Sequence, residues 1–261
     1  MTIDQYQVDA FVDGPFTGNP AAVCILNEWL KDDLLQKIAE ENNLSETSFL
    51  VPHGTDFHLR WFTPAIEVDL CGHATLASAF VLFNELGYEG EQIVFHSRSG
   101  ALTVQKRGDL LEMDFPTDTI SESDSSPLLE KGLGTKPVEV WTGRDDLICI
   151  LQSQDEILGL TPDFRALNQL GGRGVLVTSE GKDPYDFVSR AFFPQSGIDE
   201  DPATGSAHTS LTPLWAKRFG KNEMTACQLS NRKGFFHCVF KGERTLISGR
   251  GNLFLKGQIF I

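Results

Sequence analysis

Apolar and polar positions recur twice along this chain in the same order. Cys24-Ile25-Leu26 ends a strand. "DDLLQKIAEENN" follows with apolar residues at helical spacing, and "SFLVP" is then a short apolar strand. In the second half Cys149-Ile150-Leu151 precedes "PDFRALNQLGGR", again spaced as a helix, and the strand "GVLVT". A further strand is expected over Phe57–Phe62 in one half and Asp186–Phe193 in the other. A loop then leads into a second, more apolar helix. Its two copies, "CGHATLASAFVLFNELG" (Cys71–Gly87) and "TGSAHTSLTPLWAKRFG" (Thr204–Gly220), align without a gap. Gly72 falls on Gly205, Ala74 on Ala207 and Gly87 on Gly220. The closing glycines suit left-handed helix caps. "ALTVQKRGDLLEMDF" and "FFHCVFKGERTLISG" supply the last strands of each half.

This internal repeat predicts two copies of one α+β unit packed face to face, with a ligand site in the cleft where matching elements converge. The polar, Ser-rich "PTDTISESDSSP" (Pro116–Pro127) reads as the join, so the halves are taken as 1–118 and 119–261.

Composition narrows the function. The 261 residues are 41% apolar and 22% charged, as in an ordinary globular protein. A net charge of −14 argues against a nucleic-acid partner and offers nothing to an anionic membrane surface, while leaving room for a small acidic ligand. The opening "MTIDQYQVDAFVDG" lacks the basic-then-apolar pattern of a signal peptide. "ATLASAFVLF" is too short to span a bilayer. Five scattered cysteines without a CxxC pair fit free thiols in a reducing cytoplasm, so neither disulfides nor a metal centre is expected.

The two helix starts carry the first candidate chemistry. Helix N-termini leave backbone N–H groups unpaired and positive, and Gly72 and Gly205 let another group approach them. Two such starts facing one cleft would hold a carboxylate or a developing enolate. Tight packing of helix ends is the alternative reason for small residues there. His73, beside a positive helix end, is expected neutral and suited to acid/base work, or else a capping or packing residue. Cys71 is a candidate thiolate. However, residues two apart at a helix start are expected not to face one another, and no Asn or Asp stands nearby in sequence to orient the imidazole.

Glu46, in "NNLSETSFLVP", precedes a strand entering the core, where burial would raise its pKa toward the acid/base range. An ordinary loop glutamate is the other reading. The second half has Gly172-Arg173 at the matching place, so only the first half supplies a base. Gly14, Gly18, Asn19 and Pro20 mark a turn between two strands that either lines the cleft or is a plain hairpin.

Four motifs in order, "DAFVDGPFTGNPAAVCIL", "NLSETSFL", "RWFTPAIEVDLCGHAT" and "GIDEDPATGSA", resemble the PhzF-like, phenazine-biosynthesis-like family over essentially the whole chain. The resemblance implies a diaminopimelate epimerase-like α+β fold. Each pseudo-symmetric half would be a curled, mostly antiparallel sheet around a central helix, and the last strand would return to the first half. It implies cofactor-free isomerisation of the kind performed on trans-2,3-dihydro-3-hydroxyanthranilate. Glu46 is then the acid/base, His73 a second proton-handling group, and Asp201 and Ser206 partners across the cleft. Gly72 and Gly205 would lend amides, and Asn19, Cys71 and Thr204 line the substrate. Asp201, just before a helix, also reads as an N-cap or first-turn acid. Cys71 with Thr204 at the paired position is unlike a two-thiol racemase.

The expected activity is therefore a cofactor-independent isomerase or epimerase of a small carboxylate-bearing metabolite, with a homodimer implied by the resemblance. The alternatives are a Cys71-dependent hydrolase and a catalytically silent small-molecule binding protein on the same scaffold.

Overall fold

The computed structural model describes all residues, 1–261, and divides into two compact units. Unit 1 comprises Met1–Asp114 and Ser248–Ile261, and unit 2 comprises Phe115–Ile247. The sequence-based division is at 118/119 with the last strand returning to the first half; in the structure the join falls at Asp114/Phe115 and Ser248–Ile261 lie in unit 1.

Unit 1 contains β1 (Thr2–Val12), β2 (Asn19–Ile25), α1 (Asp32–Asn42), β3 (Glu46–His53), β4 (Asp56–Phe62), β5 (Glu67–Val68), α2 (Gly72–Phe80), β6 (Gln92–Ser97), β7 (Gly100–Arg107) and most of β8 (Leu110–Pro116). Unit 2 contains β9 (Ser121–Ser123), α3 (Pro127–Leu133), β10 (Glu139–Thr142), β11 (Asp146–Ile150), α4 (Gln154–Gly159), α5 (Phe164–Leu167), β12 (Gly174–Glu180), β13 (Phe187–Phe192), α6 (His208–Phe219), β14 (Glu223–Gln228) and β15 (Gly234–Lys241). The long β16 (Arg244–Phe260) begins in unit 2 and continues from Ser248 in unit 1.

The strands of unit 1 run β1-β2-β3-β4-β6-β7-β8-β16, and β16 pairs again with β1, so the sheet curls until its ends meet. α2 packs on β1, β2 and β3 inside that curl. Every residue from His73 to Ala79 is buried, which explains the helix's composition. A helix covered on all sides has no polar face, and small residues let the sheet close round it. Past Phe80 the helix widens into a π-type turn, Val81–Glu85, before Gly87 at φ 68° releases the chain.

In unit 2 the order is β15-β14-β13-β12-β11-β10-β9. The pairing pattern repeats that of unit 1. β2 lies parallel to β3 as β11 does to β12, and β4 lies parallel to β6 as β13 does to β14. The intervening pairs are antiparallel in both units. The duplication read from the sequence is thus a duplication of strand order and polarity.

Two helical expectations change. "PDFRALNQLGGR" keeps only the single turn of α5, with α4 ahead of it. Ser153 and Asp163 cap these two short helices by accepting from Glu156 and Ala166 N–H, and the Pro162 between them disfavours a helical Thr161. α6 begins at His208 rather than at Thr204; Gly205–Ala207 form a tight turn in which His208 N–H donates to Gly205 O at 3.0 Å. Pro213 inside α6 cannot donate to Thr209 O, and Asp118 N–H supplies that bond at 3.2 Å.

Candidate active site

In unit 1 four sequence-predicted residues come together. Glu46 is the first residue of β3, and β3 lies parallel to β2 with Glu46 opposite Ala21. That places the carboxylate beside the start of β2, where Asn19 sits, and against the start of α2, where Cys71 and His73 sit. Glu46 is 9% exposed, His73 6%, and Asn19 fully buried. Glu46 Oε2 lies 2.9 Å from His73 Nε2. The two groups form a buried ion pair.

The other ring nitrogen is oriented by Asn19. The Asn19 amide stands 3.2 Å from His73 Nδ1, and its oxygen accepts from Ser45 Oγ at 3.1 Å. Cys71 Sγ is 3.6 Å from the same Nδ1. Two expectations are overturned here. Cys71 and His73 do face one another, because Cys71 is not in the helix. It is the N-cap, extended at φ −145°, and this swings its side chain back toward the ring. An asparagine orienter does exist, and it comes from β2, more than fifty residues away in sequence.

The expected neutral histidine is also corrected. Burial favours the neutral ring, yet the Cys71 sulfur and the Glu46 carboxylate beside it push the His73 pKa well above its ordinary value. Burial, with Glu46's charge added, pushes the Cys71 thiol up to about 11, although His73 opposes this. A thiol with that pKa is uncharged at neutral pH, so Glu46 is the group whose charge holds the His73 proton. The donor atoms of Glu46, Cys71 and His73 lie within 4.8 Å of one another, close enough to hold a metal ion of zinc's preferences. The His73 proton and the undissociated thiol compete with that use.

Unit 2 carries the second group. Asp201 is 7% exposed, and its carboxylate accepts from Thr204 Oγ1. It is neither N-cap nor first-turn acid, since α6 starts seven residues later and has no acid in its first turn. The turn between them is pinned from β14. Gln228, fully buried, donates to Asp201 O at 2.7 Å and accepts from Thr204 N–H at 2.9 Å. Gly234 supports the same turn: a Cβ on it would come within 2.5 Å of Ala203 Cβ. Ser206 Oγ accepts from Arg173 Nη1 at 3.2 Å, and Arg173 is held by a two-pronged ion pair to buried Asp146, Nε to Oδ1 at 3.0 Å. Register sharpens the comparison of halves. Gly174, not Arg173, occupies Glu46's place, because Gly174 pairs with Asp146 as Glu46 pairs with Ala21. Sequence reasoning missed Gln228, Gly234 and Asp146; nothing local marks them.

The family model described as "Phenazine biosynthesis-like protein" (PhzC-PhzF) matches residues 8–257. The chain belongs to the PhzC–PhzF family. It is similar to an uncharacterized isomerase of Pseudomonas aeruginosa, 49% identical over 261 residues and all of both chains. It is also similar to a crystal structure of a PhzF-family phenazine biosynthesis protein of Enterococcus faecalis, 47% identical, TM-score 0.97, covering all of both chains. A hydroxyproline epimerase of Agrobacterium vitis shares the fold at 12% identity and TM-score 0.64, covering 99% of this chain and 92% of the epimerase. The PhzF-family chain thus has an α+β, epimerase-like fold, and its relatives include proteins named as isomerases. No helix in it is long and apolar enough to cross a membrane, which says nothing of β-barrels.

Proposed function

We propose that this chain is a cofactor-independent isomerase that moves a carbon-bound proton on a small carboxylate-bearing metabolite. The observation that carries the reading is Glu46 Oε2: buried and 2.9 Å from His73 Nε2 of a ring that retains its proton. A carboxylate has lone pairs beyond the one facing His73, and these are open to a substrate C–H.

In the proposed step the Glu46 carboxylate removes a proton from a substrate carbon. The bonding pair of that C–H moves into the adjacent unsaturated system, and Glu46, now protonated and exchanging that proton with solvent, delivers a proton to a second carbon. No net oxidation occurs. The His73 Nε2–H lowers the energy of the anionic intermediate by donating to it, and Asn19, whose NH₂ faces Nδ1, keeps the ring turned toward Glu46. Asp201, Ser206 and the amides of Gly72 and Gly205 are proposed as substrate contacts, with Thr204 setting the Asp201 carboxylate. The substrate class is an anion small enough to be held by such amides. The hydrolase alternative is disfavoured by a thiol that stays protonated to about pH 11, despite the Cys71–His73–Asn19 contacts.

A thermal-shift screen of carboxylate-bearing metabolites tests the reading, since a ligand that binds only the folded chain raises its melting point. Each stabilising compound is then incubated with enzyme and followed by NMR for a product of the same mass. Conversion to an isomer supports the proposal. Cleavage to two products, or binding with no conversion of any compound, contradicts it.

A further inference from the structure

A second cluster of ligating side chains lies on one face of the unit 1 sheet, on residues separate from Glu46, Cys71 and His73. His53 ends β3, His58 lies on β4 and His96 on β6. Val51 pairs with His58, and His58 pairs in turn with His96. Residues two apart on a strand share a face, so His53 joins the other two. The ring centres confirm this, at 4.4 Å for His53–His58, 5.5 Å for His53–His96 and 5.7 Å for His58–His96. Asp56, paired across from His53, sets its Oδ2 3.0 Å from His96 Nε2.

We propose that His53, His58 and His96 form a three-imidazole site for a first-row divalent transition metal such as Zn²⁺ or Cu²⁺, with Asp56 as the carboxylate that orients His96. The spacing is the argument. A tetrahedral ion with Zn–N bonds of ~2.0–2.1 Å stands ~3.2 Å from each ring centre and sets those centres ~5.2 Å apart. The three measured separations bracket that value. His53 is exposed and the other two are half-buried, so their rings turn about χ2 to aim their nitrogens at a common point. Asp56 engages Nε2 of His96 and leaves Nδ1 for the ion, the usual division of a ligating imidazole between metal and carboxylate. All-nitrogen donors with an open fourth position suit Zn²⁺ and Cu²⁺ over Mg²⁺ or Ca²⁺.

The test uses the full-length chain without a histidine tag, in a Cys71→Ser background that removes the only thiol near the other potential donor set. Calorimetric titration with Zn²⁺ at neutral pH is expected to show one saturable site per chain. His58→Gln and His96→Gln should each weaken it by about tenfold or more, and Asp56→Asn by about tenfold. Circular dichroism checks that these surface variants stay folded. Co²⁺ bound to the unaltered chain should give a spectrum without a thiolate charge-transfer band at the first equivalent. Absence of binding in the Cys71→Ser background overturns the proposal. So does binding that survives both histidine changes, or a thiolate band at the first equivalent.

Discussion

Glu46 Oε2 and His73 Nε2 lie 2.9 Å apart, although the residues come from the start of a strand and the start of a helix 27 positions later. Burying either charge alone would be costly, so each depends on the other. Replacing Glu46 by Gln keeps shape and removes the base. Turnover is expected to fall by roughly 10²- to 10⁴-fold, the usual share of a positioned acid/base, with near-normal circular dichroism. A variant that turns over within a few-fold of the parent would sink this assignment.

The same pair sets a pH dependence. The folded-state pKa of His73 is raised above its unfolded value of about 6.5. Its contribution to stability is therefore fully present below that unfolded pKa and is lost as pH rises through the folded pKa. Urea midpoints measured from pH 6 upward should fall more for the parent than for His73→Gln. Parallel curves would show that His73 is not protonated in the folded chain.

Asn19→Ala removes the amide facing His73 Nδ1 and strands the ring nitrogen in a buried place. A loss of about 1–3 kcal/mol in urea unfolding is expected. Turnover should drop with KM little changed, because the ring loses its orientation rather than the substrate its contacts. A KM effect alone would place Asn19 among the binding residues instead.

Gln228 bonds both ends of the Asp201–Thr204 turn. Gln228→Ala is expected to cost about 1–3 kcal/mol and to expose two backbone groups of the turn. Gly234→Ala should disturb the same turn by pressing on Ala203. Hydrogen exchange of Asp201–Thr204 amides reads both, and protection unchanged in both variants would refute the pinning role.

Cys71 should react slowly. With its thiol pushed to about 11, iodoacetamide at neutral pH should alkylate the native chain far more slowly than the denatured chain, as mass spectrometry would show. Fast alkylation of Cys71 with loss of activity would revive the hydrolase alternative.

These particulars show how far sequence carries. The repeat in "CGHATLASAFVLFNELG" and "TGSAHTSLTPLWAKRFG" was visible because a buried helix with a glycine cap leaves a pattern on its own residues. Glu46, His73, Cys71 and Asn19 could each be named from local context. Their mutual contacts could not, because they depend on β2 and β3 lying parallel and on the extended conformation of one residue, Cys71. Asp201 reads as a helix cap only while α6 is assumed to start at Thr204; the tight turn at Gly205–Ala207 removes that role. Gln228 and Asp146 act through partners 24 to 27 residues away, in the turn before α6 and just ahead of β12, and no spacing rule connects them.

The central claim is that Glu46 carries a proton between substrate carbons. Deuterium incorporation into a stabilising substrate in D₂O, followed by mass spectrometry for the parent and for Glu46→Gln, tests it most directly. The account predicts that the parent introduces one deuterium, in product or in recovered substrate, and that Glu46→Gln introduces none above the uncatalysed rate. Incorporation by Glu46→Gln at the parent's rate would contradict it.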